Sequence, residues 1–134
     1  MKIEKREIAR IQLDRAIILM LDEKDYVSAI TLAGASEEIL GQMLGEKSTY
    51  KEFEKAFTKL HERRTGERPE KRIFNALANG VRNGLKHYQD GAPLHFDPEQ
   101  EAKEIVDRAA VNYFLLTQEE TPAMKRFWKT FSSS

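Results

Sequence analysis

Arg82 and His87 stand five positions apart in the stretch Arg82-Asn83-Gly84-Leu85-Lys86-His87, near the end of an expected helix. Their types suit phosphate chemistry that needs no metal. An imidazole can take up and return a proton near neutral pH. A guanidinium fork matches the oxygens of a phosphate as negative charge grows on them. No other stretch of the chain carries chemistry so plainly, so a functional reading stands or falls on this segment.

The helix that holds this pair has two faces. Ile73, Leu77, Val81, Leu85 and Tyr88 form an apolar stripe, and Pro69 suits its first turn. A second ridge runs Asn75, Asn79, Asn83, His87, each four residues from the last, with Ala76 and Gly80 beside it. Asn is a mediocre helix former because its side chain competes for backbone groups. A merely solvated face would normally use Lys, Glu or Arg. Two readings stay open: incidental surface residues, or a face that meets something close and polar. Asn83 and His87 share a face at i,i+4, so the Asn can orient the imidazole. Arg82 lies about 140° from His87 around the helix. Both reach one phosphate only if the Arg stem curls round, if the helix loosens near Gly84, or if a second subunit completes the site. A two-fold dimer through this helix would bring two Arg/His pairs to one cleft.

The other expected elements are also helices. Ile8, Ile11, Ile18 and Leu21 recur at helical spacing, predicting a first helix over about 3–22. Asp25 can cap a second over 26–44, with Ile30, Ala33, Gly34, Leu40, Gly41 and Leu44. Gly34 and Gly41 each cost about 1 kcal/mol of helix propensity, which close approach of a neighbouring helix would offset. Thr49 and Glu52 read as a capping box for a third helix with Tyr50, Phe53, Phe57 and Leu60 on one stripe, ended by Gly66. After the helix of the motif, residues 88–96 read as a loop. Asp97-Pro98-Glu99-Gln100 then starts a fifth helix, with Gln100 able to reach back to the cap and a stripe of Ala102, Ile105, Val106, Ala109, Tyr113 and Leu116. Thr121-Pro122 opens a short last helix with Phe127 and Trp128, and Ser132–Ser134 reads as a frayed tail. No segment alternates like a strand. The expected class is all-α, an antiparallel four-helix bundle with additional short helices, forming one domain over 1–134.

Composition narrows the function. The 134 residues are enough for one real core. Lys+Arg and Asp+Glu are both 22, which argues against bulk electrostatic binding of nucleic acid but leaves room for a local basic patch. The absence of Cys excludes disulfides, thiolate metal sites and a Cys nucleophile. The longest apolar run, 16–21, is far short of the roughly 20 residues that span a bilayer. Acids among the bases at the N-terminus, with no apolar stretch after them, argue against a secretory signal, and a cytoplasmic location is expected.

Arg82-Asn83-x-x-x-His87, late in a bundle helix, resembles the motif of the HEPN superfamily (higher eukaryotes and prokaryotes nucleotide-binding), which has Arg, four to six residues, then His, often with a polar residue after the Arg. Residues 29–40 are similar to that family's second helix, with small residues and an acidic position. The likeness covers approximately residues 3–117. It implies a dimeric bundle, commonly a metal-independent ribonuclease, serving as a toxin or a stress or defence effector. It assigns the catalytic positions to Arg82 and His87 and the supporting polar position to Asn83. It assigns the acidic position to Glu38, with Glu37 the alternative. Asn79 and Lys86, on the same helix as the motif, are taken as further supporting residues. The resemblance also implies an RNA or nucleotide ligand and an antitoxin-like partner such as a nucleotidyltransferase. One departure stands out: the subgroup paired with such antitoxins has a Tyr two residues after the His. Here that place is Gln89, and Tyr88 comes one residue early, which puts control by adenylylation in doubt. The other implied reading is a non-catalytic helical module that binds a nucleotide, RNA or protein partner.

The remaining candidates have bland readings beside the functional ones. His61, Arg63, Arg64, Arg68, Lys71 and Arg72 could guide RNA, or be a solvated helix end where the dipole favours cations. His95 is a residue at the rim of the site or an ordinary loop His. Phe127 and Trp128 read as core or interface before they read as a base-stacking platform. With no His-x3-His pair and no carboxylate cluster beyond surface-type Glu runs, neither a metal nor a cofactor is expected.

Overall fold

The computed structural model describes residues 1–70, 85 and 93–131. The chain is all-α, and among the described residues there is no strand. Helix α1 spans Lys5–Ile18 and runs into a π-helical turn, Leu19–Glu23. Helix α2 spans Tyr26–Leu44, a 3-10 turn Gly45–Lys47 follows, and α3 spans Thr49–Thr65. Beyond the motif segment come α4, Pro98–Thr117, and α5, Pro122–Phe131. The expected fourth helix lies outside the described residues except at its start, where Pro69 and Glu70 are not helical, and at Leu85. That residue is helical and packs half-buried against the core.

Helix boundaries follow local chemistry. The Asp25 carboxylate accepts from Ser28 N–H at 3.1 Å and starts α2 where expected. Asp97 accepts from Gln100 N–H at 3.1 Å, with Pro98 at the first helical position. The Gln100 side chain does not reach back; it donates to Glu104 at 3.0 Å. Helix α2 stops at Gly45, whose backbone (φ 61°, ψ −123°) is open only to glycine. Gly66, at φ 77°, ends α3 as expected. The cap of α3 is one residue earlier than the capping box predicts. Ser48 Oγ accepts from Lys51 N–H at 3.2 Å, and Glu52 turns outward to Lys55 at 3.5 Å.

The phase of α1 departs from the reading of its isoleucines. Ala9, Leu13, Ala16 and Ile17 are buried, followed by Leu19 and Met20 in the π turn. Ile11 and Ile18 are 49% and 36% exposed. Small residues decide the face because they let α2 come close. The Ser36 hydroxyl reaches across from α2 to donate to the Ala9 carbonyl at 2.8 Å. Helix α3 also departs: none of its residues is buried, Phe53 and Leu60 are about half exposed, and Phe57 is half-buried. It packs little on the other described elements.

Cross-helix contacts set the directions. Helix α2 is central, packed on α1 on one side and α4 on the other. It runs antiparallel to α1. It runs the same way as α4, since Glu37 meets Arg108 and Gly41 lies beside Asn112 four residues further along both helices. Helix α5 runs antiparallel to α4, with Trp128 bonded to Asp107 and Phe131 beside Lys103. The core is one cluster in which Ile30, Ala33 and Leu40 of α2 meet Ile105, Val106, Ala109 and Tyr113 of α4, completed by Met124 and Phe127 of α5. Thr121 fixes α5 to α1. Its hydroxyl accepts from Met124 N–H at 3.1 Å and donates to Asp14 at 2.7 Å, and Arg126 pairs with Asp22.

Candidate functional site

Where α2 faces α4, polar side chains interrupt the apolar core. Arg108 Nε donates to the Glu37 carboxylate at 2.6 Å, and the Glu37 side chain is 4% exposed against 27% for Arg108. One turn on, Asn112 is fully buried. Its Oδ1 accepts from Thr49 N–H at 2.9 Å, which satisfies a free donor at the start of α3 and ties that helix to α4. Among the described residues its Nδ2 has no hydrogen-bond partner. A methyl group on Gly41 would meet Ser48 Cβ at 3.8 Å and Asn112 Nδ2 at 3.9 Å, which is ordinary contact, so α2 approaches closely here without requiring a glycine.

Over this region opens a cleft of about 270 Å³, walled by Glu37 and Glu38 of α2, Gly41, Gln42 and Gly45 at its C-terminal end, and Tyr50 and Lys51 of α3. Glu38 is exposed at its edge, and Glu37 lies deeper. The cleft offers two carboxylates, an amide, a phenol and one ammonium group. That set can hold a group carrying N–H or O–H donors and can orient a hydroxyl. Among the described residues no three His, Cys, Asp or Glu side chains gather as metal ligands.

Arg82, Asn83, Lys86, His87, Asn79 and Arg72 lie outside the described residues, and Leu85 is the described residue in their midst. Arg63, Arg64 and Arg68 are exposed at and beyond the end of α3. Arg68 lines a shallow hollow of about 220 Å³ with Glu54, Lys55 and Glu62, so the cations there are interleaved with acids. His61 belongs to the end of its helix. Its Nδ1 shares a hydrogen bond with the Glu67 carbonyl at 2.9 Å, and its ring lies 6.1 Å from that of Phe57. His95 is exposed in the segment before α4.

Sequence reasoning missed Arg108, Asn112 and Ser48. Asn112 had a signal: it is a lone amide among Ala109, Ala110, Val111 and Tyr113 on a helix otherwise patterned for a core. A buried Asn in such a place must find partners in another element. Arg108 had none, since it reads as an ordinary exposed cation beside the stripe.

No family model matches the chain, and no curated protein or solved structure is detectably similar to it. No described helix is long and apolar enough to cross a membrane.

Proposed function

We propose that this protein is a metal-independent endoribonuclease of the HEPN kind that acts as a homodimer. The observation that carries the reading is the pattern Arg82-Asn83-x-x-x-His87, whose central Leu85 is helical and packed against the core of an all-α chain. In the reaction, the 2′-hydroxyl of the RNA attacks the adjacent phosphorus. The bond to the 5′-oxygen of the next nucleotide breaks, leaving a cyclic phosphate and a free 5′-hydroxyl. His87 moves the proton, and Arg82 binds the phosphate oxygens as they gain charge. Asn83 orients His87. Glu38, exposed at the edge of the cleft on α2, would supply an acceptor for a sugar hydroxyl or base amine. Two copies meeting through the motif helix would overcome the angle between Arg82 and His87 on one helix.

Purified protein incubated with single-stranded RNA in EDTA tests this. Cleavage should proceed, the products should carry cyclic phosphate ends, and a deoxyribose at the cut position should block it. His87→Ala and Arg82→Ala should each lose about 10²–10⁴-fold in rate while keeping their helicity. Asn83→Ala should lose less. Undiminished cutting by His87→Ala, or a strict need for Mg²⁺, would sink the mechanism. A dimer that binds RNA or a nucleotide and never cuts it would mark a binding module instead.

A further inference from the structure

Behind the cleft between α2 and α3 stand two polar atoms that the fold does not use. The Asn112 side chain is fully buried, and its Oδ1 accepts from Thr49 N–H at 2.9 Å. That bond fixes which way round the amide stands, so the nitrogen is the end left over. Among the described residues neither Asn112 Nδ2 nor the buried Thr49 Oγ1 has a hydrogen-bond partner. Buried donors are rarely left this way, and each one asks for an acceptor. Nδ2 lies 3.9 Å from the point where a side-chain carbon on Gly41 would stand, and Ser48 Cβ lies 3.8 Å from the same point. Gly41 and Ser48 both line the cleft. A side chain on Gly41 would stand between the cleft and the amide, and glycine leaves that way open.

The same end of the cleft is where α3 begins. Ser48 is the cap of that 17-residue helix, whose start carries partial positive charge. Lys51, in its first turn, also lines the cleft. Its pair with Glu54 is 3.6 Å long, beyond hydrogen-bond length, and Glu54 opens on the hollow beside Arg68 instead. The two carboxylates of the cleft lie back along α2. Glu37 is one turn before Gly41 and already held by Arg108 at 2.6 Å, and Glu38 stands at the exposed edge. An amide N–H, a hydroxyl, an ammonium group and a helix start thus border one place, and the group they suit is one that only accepts: an oxyanion. We propose that this cleft binds a small molecule ending in a phosphate or carboxylate group, seated over Gly41 with one oxygen toward Asn112 Nδ2 and another toward Lys51. The site stands on described residues alone and is independent of the ribonuclease reading.

Inorganic phosphate and acetate, each titrated into the full-length protein against chloride at equal ionic strength, test the site. One or both should shift the side-chain amide signals of Asn112 in a nitrogen–proton NMR spectrum saturably and raise the melting temperature. The stronger of the two responses names the group, a phosphate ester or a carboxylate. Gly41→Ala is the decisive variant. Its added methyl makes only ordinary contacts and Ala favours helix over Gly, so the protein should fold at least as stably as before. It should nevertheless weaken anion binding by about tenfold or more, the scale of losing a hydrogen bond to a charged group. Lys51→Gln should weaken it as well. If Gly41→Ala fails to fold, judged by circular dichroism, Lys51→Gln and the Asn112 signals of the unaltered protein carry the test. Asn112 signals that neither anion moves overturn the site. So does an equal shift with chloride, or undiminished binding by a folded Gly41→Ala protein. Binding by a protein that cuts no RNA keeps this site and removes the ribonuclease; cutting with Asn112 unmoved does the reverse.

Discussion

At the scale of single residues, the polar contacts between α2 and α4 are the most sensitive points described. The Glu37 carboxylate is withdrawn from water, and Arg108 supplies it with a charge-assisted hydrogen bond. Arg108→Ala should lower stability by about 1.5–3 kcal/mol, read as a lower urea midpoint at unchanged slope. A loss within about 0.5 kcal/mol would show the pair to be an ordinary surface contact. Arg108→Lys should recover only part of the loss, because an ammonium group cannot reproduce the donor at Nε. Asn112 works differently: it carries no charge, and its value lies in satisfying Thr49 N–H where α3 begins.

At the scale of elements, α1 offers a test of packing against periodicity. Leu13 is fully buried and Ile11 is 49% exposed. Leu13→Ala should therefore cost about 2–5 kcal/mol and Ile11→Ala less than about 0.5, measured in the same urea series. The reverse order would restore the isoleucine stripe as the inner face. Acid should act first on helix ends. Arg126, hydrogen-bonded to Asp22, holds that carboxyl below its usual 3.8, and the bonds from Ser28 do the same for Asp25. A carboxylate with a lowered folded value contributes fully above its unfolded value and loses that contribution as pH falls through the folded one. Stability should thus decline below about pH 4, and Asp22→Asn should flatten part of the decline in circular dichroism. These ends were legible in the sequence because a cap is a local event: Asp25, Asp97-Pro98 and Gly66 each act within one turn. The phase of α1 was not, because it depends on which neighbour comes close, and Ala9 and Ala16 say nothing of that until α2 is in place.

At the scale of the whole molecule, the proposed site calls for two copies. Sedimentation at micromolar concentration should give a dimer, and substitutions on the ridge Asn75, Asn79, Asn83 should weaken it. A monomer under those conditions would count against a shared Arg82/His87 cleft. The all-α class and the core of α2 and α4 could be read from stripes such as Ala102, Ile105, Val106 and Ala109, since a stripe records burial wherever the partner lies. The polar links Glu37–Arg108 and Asn112–Thr49 could not, because each joins residues 63 or more apart in sequence. The proposed catalytic pattern rests on the sequence alone, and Leu85 is its one described residue.

The attachment of α5 to α1 bears on when the protein can become itself during synthesis. Asp14 waits for Thr121, 107 residues later, and Asp22 for Arg126, 104 residues later. Met124 and Phe127 fill the core from α5. A growing chain therefore holds an open apolar seam until α5 has been made and has docked. For a protein proposed to cut RNA, such a step would withhold a closed core from any chain that still lacks α5.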